Sequence, residues 1–395
     1  MFRIEEKIIT NIDKHKNILF FGIITLLGAL IRYQGRDFIS VDMHVDFWLW
    51  YDDIRSKGGL AALKMQVGDY NLLYQTLIAL MTYVDGKATY MYKMLSIAFD
   101  FLMSLAAAFF VSEVTKKEKF GFIFLCAYAI MLFLPANVLN SAYWGQCDSI
   151  YTFFIILTLL YMYKGKYVWA FVFLGMAFAF KIQTIFILPF IICYYFYKKR
   201  FSILMFGVSL AVFWLSGIVA YCYGRSIWAP FQIYADQTAE YSKMYLSIAS
   251  FWVLIGNDYY TLNAFAISMT IVLCGIGLYV TLHKVKKIDS AEQYMNTVVW
   301  FVWTCLLFLP AMHERYTYPL DILLIITSFI NKKYIKYAAI SAVLSVSSYG
   351  YFLFANFDVD RIYALLYVAA WLHYTYTIVK QDYYNKNCVD IAQKV

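Results

Sequence analysis

Charge is scarce in this 395-residue chain: 15% of its residues are Asp, Glu, Lys or Arg, against 63% hydrophobic, and the mean hydropathy is +0.62. A soluble domain carries far more charge, so an ordinary water-covered surface is excluded. With five prolines and 18 glycines, no linker-rich or disordered region is expected. The seven cysteines show no CxxC spacing and fall mostly in apolar runs, so neither a zinc site nor a disulfide framework is indicated; Cys147 and Cys222 are a candidate pair only if both face outward. No Walker, GxGxxG or HExxH pattern occurs, which removes support for nucleotide hydrolysis and zinc proteolysis. No cleavable signal is expected either, because Glu5, Glu6 and Asp13 interrupt the basic residues before the first apolar run.

What the chain does have is a series of apolar runs, at about 17–33, 90–113, 120–136, 149–163, 167–180, 183–197, 201–222, 263–283, 295–310, 316–330, 334–354 and 361–379. They predict an all-α fold, a polytopic transmembrane helical bundle of about twelve spans forming one domain over 1–395. The net charge of +8 is scattered in short clusters around Lys116, Lys164, Lys198, Lys284 and Lys332, with Lys286 and Lys287 in the fourth. That is not the single basic stripe of a nucleic-acid binder, so no nucleic-acid partner is expected. The positive-inside rule gathers all the clusters on the cytoplasmic side, provided that 70–84, about 15 residues, lies on or dips into the outer leaflet. Region 34–89 is then an external loop with interfacial helices, and 223–263 a second external loop. A crossing at 70–84 would reverse every later segment.

Polar chemistry concentrates in the expected outer segments. The first loop carries Asp37, Asp42, Asp46, Asp52, Asp53 and His44, followed by Trp48, Trp50 and Tyr51, rings suited to the headgroup level. Next come Tyr143, Trp144, Gln146 and Asp148: the amide and carboxylate can bond sugar hydroxyls and the rings can stack on sugar faces. Asp148 is equally placed to cap the following helix. Lys181 and Gln183 interrupt an apolar stretch too long for one helix and too short for two full spans; Lys181 either snorkels to the interface or meets a lipid phosphate in a cavity between short helices. His313 and Arg315, between two prolines, offer donors to an oxyanion, with Glu314 as a local partner for Arg315. The expected outer segments also include 356–360 and, in the second external loop, an aromatic group of Trp228, Tyr234, Tyr241, Tyr245 and Trp252. Asp100 is the main charge inside a span.

Taken together, Ser40, Val41 and Asp42 followed by Trp50, Tyr51, Gly58 and Gly59, then Trp144 to Ser149, Phe180 to Gln183 and His313 to Tyr316, resemble the GT-C superfamily of integral-membrane glycosyltransferases. The likeness covers roughly residues 17–320 and is nearest to bacterial relatives of the second mannosyltransferase of GPI-anchor synthesis, with dolichyl-phosphate-dependent transferases further off. It implies a GT-C type bundle in a bacterial plasma membrane, its site facing outward. It also implies inverting transfer of a monosaccharide, a mannose-like hexose, from a polyprenyl-phosphate donor to a hydroxyl of a glycan or lipid-linked acceptor. Asp42 matches the general base of the family and Asp46 is the fallback. His313, Arg315 and Lys181 are then expected at the donor phosphate, and Gln146, Asp148, Gln183, Trp144 and Tyr143 at the substrates. No cofactor is expected; a divalent ion would need Asp42, His44 and Asp46 as ligands. The competing functions are a lipid-linked sugar flippase or transporter, and a polysaccharide polymerase or ligase using a polyprenyl-diphosphate donor. Membrane lipids are partners in every case.

Overall fold

A computed structural model describes residues 3–240, 242–284, 288, 290–355 and 361–392. Lys286, Lys287, Tyr241 and the segment 356–360 lie outside the described residues. The chain is nearly all-α, about 79% helical. Helix α1 (Arg3–Gln34) is followed by a π-turn at Met43–Phe47, α2 (Trp48–Ser56), a 3-10 turn at Gly59–Lys64 and α3 (Leu72–Met81). Then come α4 (Ala88–Thr115), α5 (Phe122–Phe133), α6 (Pro135–Val138), a π-turn at Leu139–Trp144, α7 (Asp148–Tyr163) and α8 (Tyr167–Phe180). A 3-10 turn at Ile182–Ile187 precedes α9 (Leu188–Lys198), α10 (Met205–Leu215), α11 (Ile218–Cys222) and α12 (Ala229–Glu240). The remainder is β1 (Tyr245–Leu246), α13 (Trp252–Ile255), α14 (Tyr259–Lys284), α15 (Ala291–Phe308), β2 (Met312–His313), α16 (Tyr318–Ile330), α17 (Ile335–Phe354) and α18 (Arg361–Ala392). The two short strands pair in parallel, Tyr245 with Met312 and Leu246 with His313.

All five prolines sit at helix boundaries, Pro135, Pro189, Pro230 and Pro319 at starts and Pro310 just past the end of α15. A ring without an N–H costs nothing in a first turn, whose N–H groups have no intrahelical partner. Among the described residues five helices are long and apolar enough to cross a membrane: Ile9–Gln34, Ala88–Thr115, Tyr259–His283, Lys332–Phe354 and Arg361–Lys380. A sixth candidate is the pair Phe122–Phe133 and Pro135–Trp144, bent by 51° at Pro135. The outer faces of α1 and α14 expose Leu19, Ile23, Leu26, Phe265, Ile271 and Val272, an apolar surface compatible with lipid and not with water.

Among the other apolar helices, α7 and α8 match the runs expected over 149–163 and 167–180 to within one residue. The single run expected over 201–222 is broken at Gly217, where a Cβ would come within 2.8 Å of Leu72 on α3 and 2.6 Å of the Tyr221 hydroxyl. Such close approach needs glycine, and the helix breaks to permit it. At 70–84 the chain forms only the ten-residue α3, about 15 Å long.

Polar links gather the described basic clusters near Lys116, Lys164, Lys198 and Lys332 at one end of the bundle. Lys164 pairs with Glu113 at 3.0 Å and Lys333 with Glu292 at 2.9 Å. Tyr294 donates to the Leu159 carbonyl at 2.8 Å, and the Tyr197 hydroxyl accepts from the Ile288 N–H at 2.9 Å. These contacts place the C-terminal ends of α4, α7, α9 and α16 beside the start of α15. At the opposite end Lys93 of α4 donates to the carbonyls of Gly35 (2.8 Å) and Phe38 (2.5 Å), fastening the chain that leaves α1. Asp100, deeper in α4, is paired with Arg32 of α1 at 2.7 Å and accepts from Ser141 at 2.5 Å.

The first-loop aromatics differ from expectation. Tyr51 is fully buried and donates to the Met81 carbonyl, Trp48 donates to Thr89 at 2.8 Å, and Trp50 packs on Gly68 and Tyr70. They hold α2 to α3 and α4; Tyr51 is taken wholly into the packing, while Trp48 and Trp50 stay half-buried. The aromatic group of segment 223–263 also divides. Trp252 is buried and donates to the Phe308 carbonyl at 2.9 Å, Tyr234 bonds the Phe178 carbonyl, and Trp228 is exposed. Cys147 and Cys222 are free thiols, the first buried and the second exposed.

Candidate active site

At the end of the bundle away from the basic clusters lies a cavity of about 740 Å³. It is walled by the first loop, the turn after α8, the end of α12 and the segment between α15 and α16. Asp42 forms part of one side. Its Oδ2 accepts from Trp144 Nε1 at 2.8 Å and Gln146 Nε2 at 2.6 Å, while Gln146 Oε1 accepts from Tyr70 at 2.8 Å. Among the described residues Oδ1 takes no hydrogen bond. Two donors on one oxygen orient the carboxylate and leave the other oxygen for a ligand.

The two motifs that meet here are more than a hundred residues apart in sequence, and the backbone explains how they meet. Ser40 Oγ donates to the Trp144 carbonyl at 3.0 Å and accepts from the Met43 N–H at 3.2 Å. Gly145 has φ +81°, and a Cβ there would strike Met43 Cε at 2.7 Å. Only glycine fits both the left-handed turn and the contact.

The other side is cationic. Lys181 follows the last residue of α8 in extended conformation (φ −154°, ψ 134°), so its side chain leaves the helix line and enters the cavity. It is buried and pairs with Asp148 Oδ1 at 2.5 Å. Asp148 Oδ2 accepts from Asn140 at 2.7 Å and lies 3.9 Å from Arg315 Nε. Arg315 donates to Glu314 Oε1 at 3.0 Å, with its guanidinium 5.5 Å from the Trp144 ring centre. His313, held by the β1–β2 pairing, stands 3.9 Å from Glu314 Oε2. Burial first, then the charges of Arg315 and Lys181, hold the His313 imidazole well below its ordinary value, so it is neutral at neutral pH. Burial pushes the Glu314 carboxyl up, Arg315 opposes that, and Asp42 adds to it.

Asp46, Asp69 and Glu240 also line the cavity. Desolvation first, and repulsion from Asp42 and Asp69, raise the Asp46 carboxyl; desolvation raises Asp69; desolvation, Asp69 and Asp46 raise Glu240. One side of the chamber is thus acidic and the other carries Lys181 and Arg315.

Of the residues singled out from sequence, Asp42, Asp46, Gln146, Lys181, Gln183, His313 and Arg315 line this cavity. Asp148 lies directly behind, fully buried. It is not the cap of α7: it is the first helical residue, the N-cap position is held by Cys147, whose side chain makes no capping bond, and the Asp148 carboxylate is taken by Lys181 and Asn140. Lys181 does not snorkel, because Asp148 gives it a buried counter-charge. The Glu314–Arg315 pair does form. Tyr143 and Trp144 are not on the cavity wall. Trp144 is fully buried and stacked on Phe352 at 4.3 Å, and Tyr143 packs on Phe38 at 5.5 Å. The Trp144 ring is wholly used in packing, which leaves it no face for a sugar, while Tyr143 is half-buried away from the cavity. His44 is exposed and edge-on to Trp48, and among the described residues no group of three or more His, Cys, Asp or Glu is placed to hold a metal. Glu240, Asp69 and Tyr70 were not marked by sequence; each lies in a polar loop or at a helix end with no distinguishing spacing. No family model matches the chain, and no curated protein matches it at a significant level.

Proposed function

We propose that this chain is a polyprenyl-phosphate-sugar-dependent, inverting glycosyltransferase of GT-C type. It transfers a hexose, mannose-like by the sequence resemblance, to a hydroxyl of a glycan or lipid-linked acceptor. The observation that carries the reading is the convergence of Asp42, Gln146, Lys181, His313 and Arg315, from segments spread over most of the chain, on one cavity with a carboxylate and a cation group on different sides. In the reaction the acceptor hydroxyl oxygen attacks the anomeric carbon and its proton passes to Asp42 Oδ1. The anomeric C–O bond breaks on the opposite face and its electron pair leaves on the phosphate. A lone base suffices on the acceptor side; on the other, Lys181 and Arg315 offset the charge of the departing phosphate, and neutral His313 donates a hydrogen bond. Asp46 is the fallback base, and no metal is assigned a step.

The reading takes all twelve apolar helices, long and short, as crossings of a bacterial plasma membrane, with α3 lying in the outer leaflet and the cavity facing outward. The clustering of basic groups at the opposite end supports that orientation. The test is incubation of purified protein with a panel of polyprenyl-phosphate and polyprenyl-diphosphate sugars, scoring which is consumed. Consumption of a monophosphate donor is expected. Consumption of diphosphate donors alone would indicate a polymerase or ligase, and movement across vesicles without consumption a flippase or transporter; either result overturns the proposal.

A further inference from the structure

The cation group is already neutralised before any ligand arrives. Lys181 is paired with Asp148 at 2.5 Å and Arg315 with Glu314 at 3.0 Å. His313 adds no charge at neutral pH. Two cations and two carboxylates sum to zero, and all four side chains are nearly or fully buried. A phosphate delivered to this group would leave the buried cluster one charge too negative, which a low-dielectric site does not tolerate without compensation.

The two carboxylates are not equivalent. Asp148 begins α7, where the helix N-terminus favours an anion, and holds both Lys181 and Asn140. Glu314 is held through one Nη1–H bond from Arg315 and a backbone N–H, and the Arg315 guanidinium is the group best shaped to take two phosphate oxygens. Around Glu314 stand Arg315 and His313 on its own segment and Asp42 on the first loop; Asp148 of α7 lies against Arg315 from the far side. Asp42 repels a second negative charge in the same chamber, and burial acts in the same direction.

We propose that Glu314 is a positioning residue that exchanges with the ligand: a phosphodiester oxygen replaces its carboxylate on Arg315, and the released Glu314 takes up one proton from solvent. This rests on the phosphate-binding reading above and deepens it. Before binding, Glu314 fills the phosphate position and keeps Arg315 aimed at it. After binding, the neutral acid can donate a hydrogen bond to the phosphate it made way for. The net change is one anion and one proton into the cluster, so the site matches a singly charged phosphodiester.

The experiment uses the full-length chain in detergent and two singly charged diesters, farnesyl methyl phosphate and dimethyl phosphate, titrated calorimetrically in buffers of different ionisation enthalpy. Across a pH series, uptake approaching one proton per bound farnesyl diester is expected wherever the free protein holds Glu314 as the carboxylate paired with Arg315, with Kd weakening up to tenfold per pH unit there. In Glu314→Gln the uptake should vanish and Kd should become flat with pH. If that variant does not fold, the wild-type buffer series alone decides. Binding without uptake, or the same uptake in Glu314→Gln, overturns the exchange and leaves the phosphate reading standing. No binding of either diester defeats the phosphate reading and the exchange with it. Equal binding of dimethyl phosphate with the same uptake upholds the exchange but makes the ligand a free phosphodiester instead of a lipid headgroup.

Discussion

Asp42→Asn separates the roles that the first-loop carboxylate can have. The amide oxygen can take the place of Oδ2 and still accept from Trp144 and Gln146, now at 2.8 and 2.6 Å. Each bond loses only its charge assistance, a drop from about 1.5–3 to about 0.5–1.5 kcal/mol. Over two bonds that is about 2–3 kcal/mol at most, and less for a side chain partly open to the cavity. The melting temperature should fall by a few degrees and binding of the lipid donor should persist. Turnover, in contrast, should drop roughly 10²–10⁴-fold, the usual effect of losing a general base, because the amide cannot accept the acceptor's proton. Two companions refine the test. Trp144→Phe keeps the ring on Phe352 but removes one donor, so the carboxylate can turn; a loss of order tenfold corresponds to ~1.4 kcal/mol. Asp46→Asn should be close to wild type. Rates come from radiolabelled sugar transfer, binding from donor protection in a thermal-shift assay. Asp42→Asn turning over within tenfold of wild type would refute the reasoning, and a dead Asp46→Asn beside an active Asp42→Asn would move the base to Asp46.

His313→Ala and Arg315→Ala should raise the donor KM or lower kcat with little change in acceptor KM, each lost charge-assisted bond being worth about 1.5–3 kcal/mol; unchanged donor kinetics in both would make the segment a structural turn. Lys181→Ala leaves Asp148 buried without its ammonium, so a loss of about 3–5 kcal/mol is expected in denaturation. Adding Asp148→Asn should recover much of that stability without restoring transfer, and failure to recover it would mean that the pair is not what holds this corner. A tag inserted after Lys119 should be cytoplasmic, and a cysteine placed within 58–60 should react with an impermeant reagent from outside; outside labelling beside Lys119 would mean that 70–84 crosses.

On the cationic side of the cavity, Lys181, His313 and Arg315 are legible because each breaks an apolar context. Lys181 interrupts a run that otherwise continues from 168 to 195, and His313 and Arg315 stand between Pro310 and Pro319. What the sequence could not show is which polar group meets which. Asp148 has the spacing of a helix cap, and it lies 33 positions before the lysine that in fact takes its carboxylate. Trp144 and Tyr143 have the character of sugar-stacking rings, yet Phe352 and Phe38, far away in the chain or in an unrelated loop, cover them. Helix existence followed from hydrophobic runs; helix continuity did not. The break at Gly217 comes from the approach of Leu72, a contact between segments 145 positions apart in number and invisible to any local pattern. Helix α1 begins fourteen residues ahead of its apolar run, in a segment where Ile4, Ile8 and Ile12 stand about one helical turn apart among polar residues.

The Arg32–Asp100 pair bears on the order in which the protein is assembled. Its two charges lie 68 residues apart, so at a synthesis rate of roughly 5–20 residues per second Arg32 waits several seconds for its counter-ion to emerge. Over that interval α1 has little else to hold it: only 11% of its spanning window is buried in the finished bundle. The charge pair that ties α1 to α4 can therefore close only after α4 has emerged. Replacing Asp100 would leave the Arg32 guanidinium buried with only the Gly28 and Leu132 carbonyls as acceptors, a loss of about 3–5 kcal/mol that thermal or chemical denaturation of Asp100→Asn would read.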